Sequence, residues 1–380
     1  MNRSKLPTVG ITCYPSQGGS GVVATELGLH LSRLGCEVHF ISSELPFRLR
    51  KYHENIIYHP VDMPQYPVFQ HSPYTLSLAT TMSEVATRCD LDILHVHYAI
   101  PHAASAYLAR EMVGRDRLKV VTTLHGTDIT LVGKEPSFFP ITQFVIEQSD
   151  AVTAVSHFLR SETLRVFGVG DSIEVIPNFV DTRVFAPADV TELRSRFAPE
   201  GEKLLVHASN FRAVKNTPAV IEVFAAVRAK YSARLLLIGE GPEMPRIRQL
   251  VEEADLSDHV EFLGHMDNLE TILPVADVLL LPSLHESFGL VALEAIACGV
   301  VPVVTNQGGA SEFIQDGVNG YLREPSDIRG MTEAVLEVLQ DPVRQQEMTG
   351  QAREVTVTKF ATSRIVEQYL ALYERLLIDS

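Results

Sequence analysis

The chain has 380 residues, 46% of them apolar, and a formal net charge of −15. This length predicts two or three domains with ample cores, and the acidity argues against a surface for nucleic acid or for an anionic membrane. The 4 cysteines have no paired spacing, which favours a reducing compartment over a disulfide framework or a zinc site. No signal peptide or long uncharged apolar span is visible, so a cytoplasmic protein is expected.

Strands and helices alternate through the first half of the sequence. It opens with a buried strand at 8–13, a glycine-rich turn at 14–21 and a helix from Val22 to Leu34. Residues 45–74 are loop-like and long enough to carry function. Further strands are predicted at 37–42, 55–61, 92–96, 119–124, 151–155 and 173–176. Further helices are predicted at 74–88, before Met112, at 138–148 and at 156–167, the last capped by Ser156.

The first glycine-rich turn has two interpretations beyond that of a tight structural turn. A strand, a glycine-rich turn and a helix let backbone approach a phosphate or a sugar closely. The spacing Gly19-x-Gly21-x-x-Ala24 also matches a dinucleotide fingerprint, and Glu44 stands about where a ribose-binding acid belongs. An NAD-dependent oxidoreductase is therefore one alternative.

Polar residues gather where two of these strands end. His95, His97 and Tyr98 close one strand, and His125 and Asp128 follow another. Ligands bind at the carboxyl ends of strands in open parallel sheets, so this cluster favours function, most of all for His125. Because His95 and His97 alternate along a strand, we expect both to face one ligand only if the chain bends. A histidine metal site there lacks a clear third ligand.

The alternation restarts in the second half, after a boundary in the region 178–200. Strands are predicted at 204–208, 234–238, 260–263, 277–281 and 301–304, and three closing helices at 328–340, 342–357 and 362–377. Two such runs predict two doubly wound α/β domains with a ligand cleft between them. The predicted domains are 1–180, 181–360 and a helix at 361–380 that packs back toward the first domain.

Two glutamates mark the central element of the second half. Glu286 lies just before a helix and Glu294 lies inside it, about 12 Å away along the axis at ~1.5 Å per residue. A glycosidase needs its two carboxylates about 5–10 Å apart, so this spacing suits the two ends of one long ligand instead. Between them, the backbone N–H groups of Phe288, Gly289 and Leu290 form an anion site at the helix N-terminus. The alternative is a strand, a loop and a helix in which the two glutamates have no shared function.

Two cations, Arg212 and Lys215, follow a strand at the predicted start of another helix. The helix dipole disfavours positive charge at that position, so the pair is better explained by a phosphate that both side chains face. There they would stabilise negative charge on a departing diphosphate.

Together these features resemble the retaining GT-B glycosyltransferases of family four, over essentially the whole chain. The resemblance rests on the two Rossmann-like domains, on Arg212 with Lys215, and on the spacing of Glu286 and Glu294. In the first domain, three blocks are similar to family members that act in bacillithiol biosynthesis. These blocks are residues 18–27, 95–103 and 122–130.

The resemblance implies transfer of N-acetylglucosamine from UDP-GlcNAc to the hydroxyl of L-malate, with retention and without a metal. No protein nucleophile is expected, because the leaving phosphate takes the acceptor proton. No nucleic-acid or membrane partner is expected, and a homodimer is a family-level expectation. The alternatives are another acceptor, such as inositol phosphate or a sugar, and a UDP-sugar-binding module without catalysis.

The family's donor-binding roles carry over to individual positions. Glu286 would contact the sugar hydroxyls, Glu294 the ribose, and Arg212 and Lys215 the leaving UDP, while Gly19 would approach the diphosphate. The amides of the anion site would hold the diphosphate, as derived above: Phe288, Gly289 and Leu290. The sequence departs from many relatives in one respect, since Asn210 stands where they carry the arginine, and Arg212 comes two residues later.

The acceptor roles carry over with less detail. His125 and Tyr98 would lie near the reacting carbon and the acceptor. Ser20, Tyr98 and Thr127 are candidate donors to the malate carboxylates, and Arg160 is a candidate cation. The resulting catalytic set is His125, Lys215, Arg212 and Glu286.

Overall fold

The computed structural model describes residues 6–15, 18–63 and 72–378. Ser16 and Gln17 of the predicted glycine-rich turn, and 64–71 of the predicted loop, lie outside the described residues. The chain forms two compact units. Unit 1 comprises 1–178 and 362–380, and unit 2 comprises 179–361.

Unit 1 is built on seven parallel strands in the order β3-β2-β1-β4-β5-β6-β7. The inner strands are almost continuous runs of buried residues, as expected when helices cover both faces of a parallel sheet. The strands are β1 (Val9–Thr12), β2 (Val38–Ser42), β3 (Ile56–Pro60), β4 (Ile93–His97), β5 (Lys119–Leu124), β6 (Ala151–Ala154) and β7 (Ile173–Val175).

Seven helices of unit 1 can be described, and most match the prediction. They are α1 (Gly19–Arg33), α2 (Tyr74–Cys89), α3 (Ala104–Val113), α4 (Thr127–Thr130), α5 (Phe139–Gln148), α6 (His157–Phe167) and α14 (Thr362–Ile378). The predicted start of α1 at Val22 is wrong, because the N–H of Val22 already donates to Gly18 (3.1 Å) and closes the first turn. The predicted cap of α6 is confirmed, since Ser156 accepts from the N–H of Leu159 (3.0 Å).

The last helix of the chain belongs to unit 1, although unit 2 precedes it in sequence. α14 buries Ile365, Tyr369 and Tyr373, and it packs against α1. The Tyr373 hydroxyl lies 2.6 Å from Nδ1 of His95 in β4. This helix therefore completes the cover on the first sheet.

Unit 2 is built on six parallel strands in the order β10-β9-β8-β11-β12-β13. The strands are β8 (Lys203–Ala208), β9 (Ala233–Ile238), β10 (Val260–Gly264), β11 (Val278–Leu281), β12 (Val301–Thr305) and β13 (Tyr321–Arg323). The helices are α7 (Thr191–Phe197), α8 (Thr217–Arg228), α9 (Met244–Glu253), α10 (Leu269–Ile272), α11 (Leu290–Ala297), α12 (Ile328–Gln340) and α13 (Pro342–Lys359). No helix in the described part of the chain is long and apolar enough to cross a membrane.

The structure confirms the predicted two α/β units and the closing helices, and it adds elements that the sequence analysis did not predict. α9 is one of them, although Met244, Ile247 and Val251 stand at helical spacing and the last two are buried. β13 has three residues and follows directly on a tight turn. Such short elements depend on their neighbours for stability.

Each sheet reverses its strand order once. In unit 1 the reversal lies at the adjacent strands β1 and β4, and in unit 2 at β8 and β11. Such switch points open a crevice at the carboxyl ends of the strands, where ligands bind in open α/β sheets. These two edges are therefore the candidate ligand-binding sites.

Candidate active site

Histidines form a stack at the switch point of unit 1. The His95 ring lies 4.5 Å from the His97 ring, and the His97 ring lies 5.0 Å from that of His125. His97 Nδ1 is 2.8 Å from His125 Nε2. The expectation that His95 and His97 need a bend to share one side is wrong, because residues two apart on a strand face the same side.

His95 is a structural member of this stack. Its Nδ1 lies 2.6 Å from the Tyr373 hydroxyl, and its Nε2 lies 2.7 Å from Thr123 Oγ1. Both ring nitrogens are therefore occupied inside the core. Of the two strand histidines, only His97 reaches the edge, where it holds His125.

The histidines at this edge are neutral. Burial holds the pKa of His97 well below its ordinary value, with the neighbouring histidines acting in the same direction. Burial also lowers the pKa of His125 to about 3 and that of His102 to about 4. The Nε2 atoms of His97 and His102 are buried and bind no described residue. The histidine rings at this edge are thus polar without being charged.

Asp128 fixes the loop that carries His125. Its buried carboxylate accepts backbone N–H groups from Ala99 (3.0 Å), His125 (3.2 Å) and Gly126 (2.8 Å). Burial raises the pKa of this carboxyl, while the three N–H groups oppose that shift. Asp128 therefore holds the ends of β4 and β5 together and positions His125.

The three predicted acceptor residues of unit 1 lie together. Ser20 Oγ donates to the Tyr98 hydroxyl (3.2 Å), and Thr127 also hydrogen-bonds to Tyr98. The Tyr98 ring lies 5.4 Å from that of His125. Tyr98 has a φ of 90°, an uncommon backbone conformation for a bulky residue. The backbone of Tyr98 is therefore strained in the conformation that places this ring beside His125.

The other two predicted residues of unit 1 have different surroundings. Gly19 is exposed at the first position of α1, a 15-residue helix. Arg160 is not available as a free cation, because it donates to the carbonyl of Ile173 (2.9 Å) and to Asp171. The expectation that Arg160 binds an acceptor carboxylate is therefore unsupported by its contacts.

An ion pair lies at the switch point of unit 2. Lys215, after β8, donates to Glu286 Oε2, after β11, at 2.7 Å. Ser283 Oγ donates to the same oxygen at 3.1 Å. No described residue donates to Oε1 of Glu286. The carboxylate is therefore oriented through one oxygen and can accept hydrogen bonds through the other.

A close backbone approach holds Glu286 in place. Its N–H donates to Gln307 (3.0 Å), and its carbonyl accepts from Gly309 (2.9 Å). Gly308 has a φ of 139°, and a Cβ there would lie 1.8 Å from the Glu286 carbonyl oxygen. Only glycine fits this position.

The N-terminus of α11 presents free backbone donors. The Phe288 ring is buried between Phe313 (5.2 Å) and Phe360 (5.9 Å). No described residue accepts from the backbone N–H of Phe288, Gly289 or Leu290. These are the three predicted to bind the diphosphate. The helix begins at Leu290, later than the predicted position after Ser287, because Gly289 adopts a left-handed φ of 92°.

Glu294 lies further along the same helix and is buried, with 6% of its surface exposed. The structure places it on the element that carries Glu286 and the free amides. Along this element the carboxylate of Glu286, the free amides and the carboxylate of Glu294 follow one another, as the predicted ligand arrangement requires.

Arg212 and Asn210 flank a buried anchor. The Phe211 ring is fully buried, whereas Asn210 and Arg212 are exposed and their side chains make no hydrogen bond or ion pair with a described residue. A Cβ at Gly241 would lie 1.9 Å from the Asn210 carbonyl oxygen. The loop is therefore held by its backbone, while its polar side chains stay accessible.

His207 is a residue of this site that the sequence analysis missed. Its Nδ1 donates to the Leu280 carbonyl (2.8 Å), and its Nε2 lies 2.8 Å from Ser209 Oγ. Burial lowers its pKa to about 4, and the charge of Lys215 acts in the same direction. The sequence did contain a signal for this residue, because His207 is a polar residue in an apolar strand, one position before the strand ends.

Comparisons with known proteins agree across both units. A family model described as "Glycosyltransferase Family 4" matches residues 17–184, and one described as "Glycosyl transferases group 1" matches residues 189–355. The N-acetyl-alpha-D-glucosaminyl L-malate synthase of Bacillus anthracis is 50% identical over 98% of this chain and 97% of its own. A GDP-mannose-dependent alpha-(1-6)-phosphatidylinositol monomannoside mannosyltransferase of Mycobacterium tuberculosis is 30% identical over 76% of this chain and 78% of its own.

Solved structures share the fold at lower identity. A glycosyltransferase from Rickettsia africae superposes with a TM-score of 0.82 at 20% identity, covering 99% of this chain and 100% of its own. Anabaena HepE in complex with UDP and glucose superposes with a TM-score of 0.84 at 17% identity, covering 97% of this chain and 99% of its own.

Proposed function

The chain belongs to the family-four glycosyltransferases of GT-B fold, and from that premise we propose that it transfers N-acetylglucosamine from UDP-GlcNAc to the hydroxyl of L-malate. The observation that carries the proposal is 50% identity, over 98% of the chain, to a protein named for that product. Family membership decides against the dinucleotide alternative suggested by the first glycine-rich turn.

In this proposal unit 2 holds the donor. Glu286 accepts sugar hydroxyls through Oε1, which binds no described residue. The free N–H groups at the start of α11 bind the diphosphate at the positive end of the helix dipole. Glu294 accepts the ribose hydroxyls.

Lys215 and Arg212 supply the charge that a departing diphosphate needs. An ammonium group has three donors, so Lys215 can keep its bond to Glu286 and still donate to a phosphate oxygen. The Arg212 guanidinium is free for the same role. Two cations and a helix N-terminus stabilise the developing charge, so the proposed reaction uses no metal.

Unit 1 receives the acceptor. Ser20, Tyr98 and Thr127 supply hydroxyl donors, and neutral His125 can hydrogen-bond to a substrate through Nδ1, which contacts no described residue. A neutral ring suits the site, since it adds no positive charge next to a sugar carbon that becomes positive in the transition state. Asp128 and His97 act through His125 and are positioning residues.

The proposed step keeps the anomeric configuration. The bond between the anomeric carbon and the phosphate oxygen breaks, and the malate hydroxyl oxygen bonds to that carbon on the same face. The hydroxyl proton passes to the leaving phosphate oxygen. No side chain is needed as a nucleophile or as the final base.

A mass-spectrometric transfer assay tests this proposal. The purified chain is given UDP-GlcNAc with L-malate, D-malate, inositol phosphate or no acceptor, in the presence of a chelator. A GlcNAc-malate product formed with L-malate alone is the expected result, and its anomeric configuration is then assigned by NMR.

Other outcomes would overturn specific parts of the proposal. A product with inositol phosphate in place of malate would discard the acceptor, and an inverted product would discard the front-face step. Loss of turnover on chelation would contradict metal independence. UDP binding without turnover on any acceptor would favour a sugar-nucleotide-binding module.

A further inference from the structure

A second histidine cluster lies on the outer flank of the first sheet. His39 is in β2, His59 is in the edge strand β3, and Cys89 is the last residue of α2. One donor atom from each of the three lies within 4.8 Å of the others. In the part of the chain that the structure describes, no other group of three histidine, cysteine or carboxylate ligands comes together in this way.

The sheet explains why these three residues meet. A Cβ at Gly28 of α1 would lie 2.4 Å from the Phe40 ring, so Phe40 faces α1. His39 is adjacent in the strand and faces the opposite side, where α2 ends. His59 pairs in register with Ile41, which puts it on that same side. The cluster is therefore a product of strand register rather than of sequence spacing.

The hydrogen bonds of His39 assign its two nitrogens. The Glu37 carboxylate can only accept, so Nε2 of His39 donates to it at 2.9 Å. Nδ1 of a neutral His39 is then a lone pair, and it faces Nε2 of His59 at 2.8 Å. A carboxylate that binds the outer nitrogen of a histidine is the usual support for a metal-ligating imidazole.

We propose that His39 Nδ1, His59 Nε2 and Cys89 Sγ bind a Zn²⁺ ion. Two imidazoles and a thiolate are a preferred donor set of this borderline-soft ion, and water fills the fourth tetrahedral position. His39 is buried, whereas His59 and Cys89 are half-exposed, so the ion can enter from solvent.

Binding replaces a proton and opens the cluster slightly. Metal–donor bonds of about 2.0–2.3 Å place tetrahedral donors roughly 3.3–3.8 Å apart, so the two imidazole nitrogens must separate by about half an ångström or more. The thiol proton of Cys89 leaves for solvent, and the proton on Nε2 of His59 is exchanged through solvent for one on Nδ1, so both imidazoles stay neutral. His59 lies on the edge strand β3, which pairs only with β2, so the movement is expected on the His59 side.

Arg88 competes with the metal. Its guanidinium donates to Nδ1 of His59 at 3.3 Å, which keeps the proton on Nε2 in the metal-free protein. Zn²⁺ requires the other tautomer, so Arg88 must turn away. Arg88 is exposed at the end of α2, and solvent is open to it.

The ion would join β2, β3 and the end of α2, at the flank of the sheet away from the histidines of the candidate active site. Strand β1 separates the two clusters in the sheet order. A stabilising role follows, because the bound ion crosslinks an edge strand to its neighbours. This inference does not depend on the proposed transfer reaction.

Cobalt titration of the chelator-treated, full-length chain tests the site. Co²⁺ is the spectroscopic probe for Zn²⁺, and a thiolate ligand adds a sulfur-to-cobalt charge-transfer band in the near ultraviolet. We expect one equivalent to saturate this band, one equivalent of Zn²⁺ to displace it, and Zn²⁺ to raise the melting temperature.

Variants separate this site from adventitious binding. Cys89→Ser should abolish the band, and His59→Gln should weaken binding at least tenfold, while Glu37→Gln weakens it by about tenfold. Arg88→Ala should tighten it. His265→Gln changes an exposed histidine that also has a carboxylate neighbour, Asp267, and should leave the titration unchanged.

Three results would overturn the proposal. They are the absence of a saturable band, a band that survives in Cys89→Ser, and a Zn²⁺-dependent rise in melting temperature that is equal in wild type and in both ligand variants. Because Cys89→Ser is a small change at a half-exposed position, it keeps the test valid if His59→Gln fails to fold.

Discussion

The two switch-point edges of this protein are built from opposite kinds of polar group. The edge of unit 2 carries formal charge, with Lys215 paired to Glu286 and Arg212 exposed nearby. The edge of unit 1 carries a stack of neutral rings held by hydrogen bonds, with His97 and His125 at its centre. The same α/β architecture thus presents an accessible ion pair in one unit, and in the other a stack of neutral rings positioned by a buried carboxylate.

In these parallel sheets the position of the site and its chemistry have different origins. Both edges inherit their position from the reversal of strand order, which is a property of topology. Their chemistry depends on which residues stand at the strand ends and in the loops that follow them.

Removing the cation of unit 2 should have the largest effect. We expect Lys215→Ala to lower kcat by about 10²- to 10³-fold, because the lost donor acts on charge that develops in the transition state. UDP affinity, measured by calorimetry, should fall much less. Lys230→Ala, at an exposed position at the end of α8, is the matched control. A drop confined to donor affinity would mean that Lys215 binds the ground state only.

The histidines of unit 1 should separate into a functional and a structural member. His125→Gln should lower kcat about 10- to 100-fold, as expected for one hydrogen bond worth about 1.5–3 kcal/mol. His95→Gln, with both ring nitrogens buried in the core, should lower the melting temperature and leave kcat of the folded enzyme near that of wild type. Equal kinetic effects of the two would remove the distinction between them.

Glu294 should matter for binding rather than for rate. We expect Glu294→Ala to weaken UDP binding roughly tenfold, since hydrogen bonds to a carboxylate are worth about 1.5–3 kcal/mol. Calorimetry with UDP measures this directly. Glu253→Ala, exposed at the end of α9, provides the control. Unchanged UDP affinity in Glu294→Ala would withdraw the ribose assignment.

The buried neutral histidines should make both units sensitive to acid. Burial lowers the pKa of His102 in unit 1 and that of His207 in unit 2 to about 4, from an ordinary 6.5. Between those values the unfolded chain takes up protons that the folded chain does not. The stability that these two neutral histidines contribute is therefore fully present above pH 6.5. It is lost progressively as the pH falls toward 4.

Each such histidine should contribute a slope of about 1.4 kcal/mol per pH unit in that window. Urea denaturation between pH 7 and pH 5 measures it. His102→Gln and His207→Gln should each reduce this slope by about 1.4 kcal/mol per pH unit, the value that corresponds to one proton. A stability that stays flat over this range in the wild type would contradict the buried neutral state.

Much of the fold follows from the sequence because its signals are local. Apolar runs at 8–13 and 277–281 predict buried strands, and the glycine-rich segments that follow them predict the turns. The element from Glu286 to Glu294 is also local, since its strand end, free amides and helix lie within one short segment. β13 was missed because three residues are too few to show a period, whereas α9 was missed although its apolar residues stand at helical spacing.

The pairings at each edge needed the tertiary structure. Lys215 and Glu286 are 71 residues apart, and His97 and His125 are 28 apart. Lys215 and Glu286 meet because β8 and β11 are neighbours in the sheet but not consecutive strands of the chain. His97 and His125 meet because the register of the neighbouring strands β4 and β5 aligns their ends. The grouping of His39 and His59 likewise depends on the register of β2 and β3, and the end of α2 adds Cys89. Periodicity tells which face of a strand a residue occupies, whereas strand order and register, set by packing of the whole unit, decide what that residue faces.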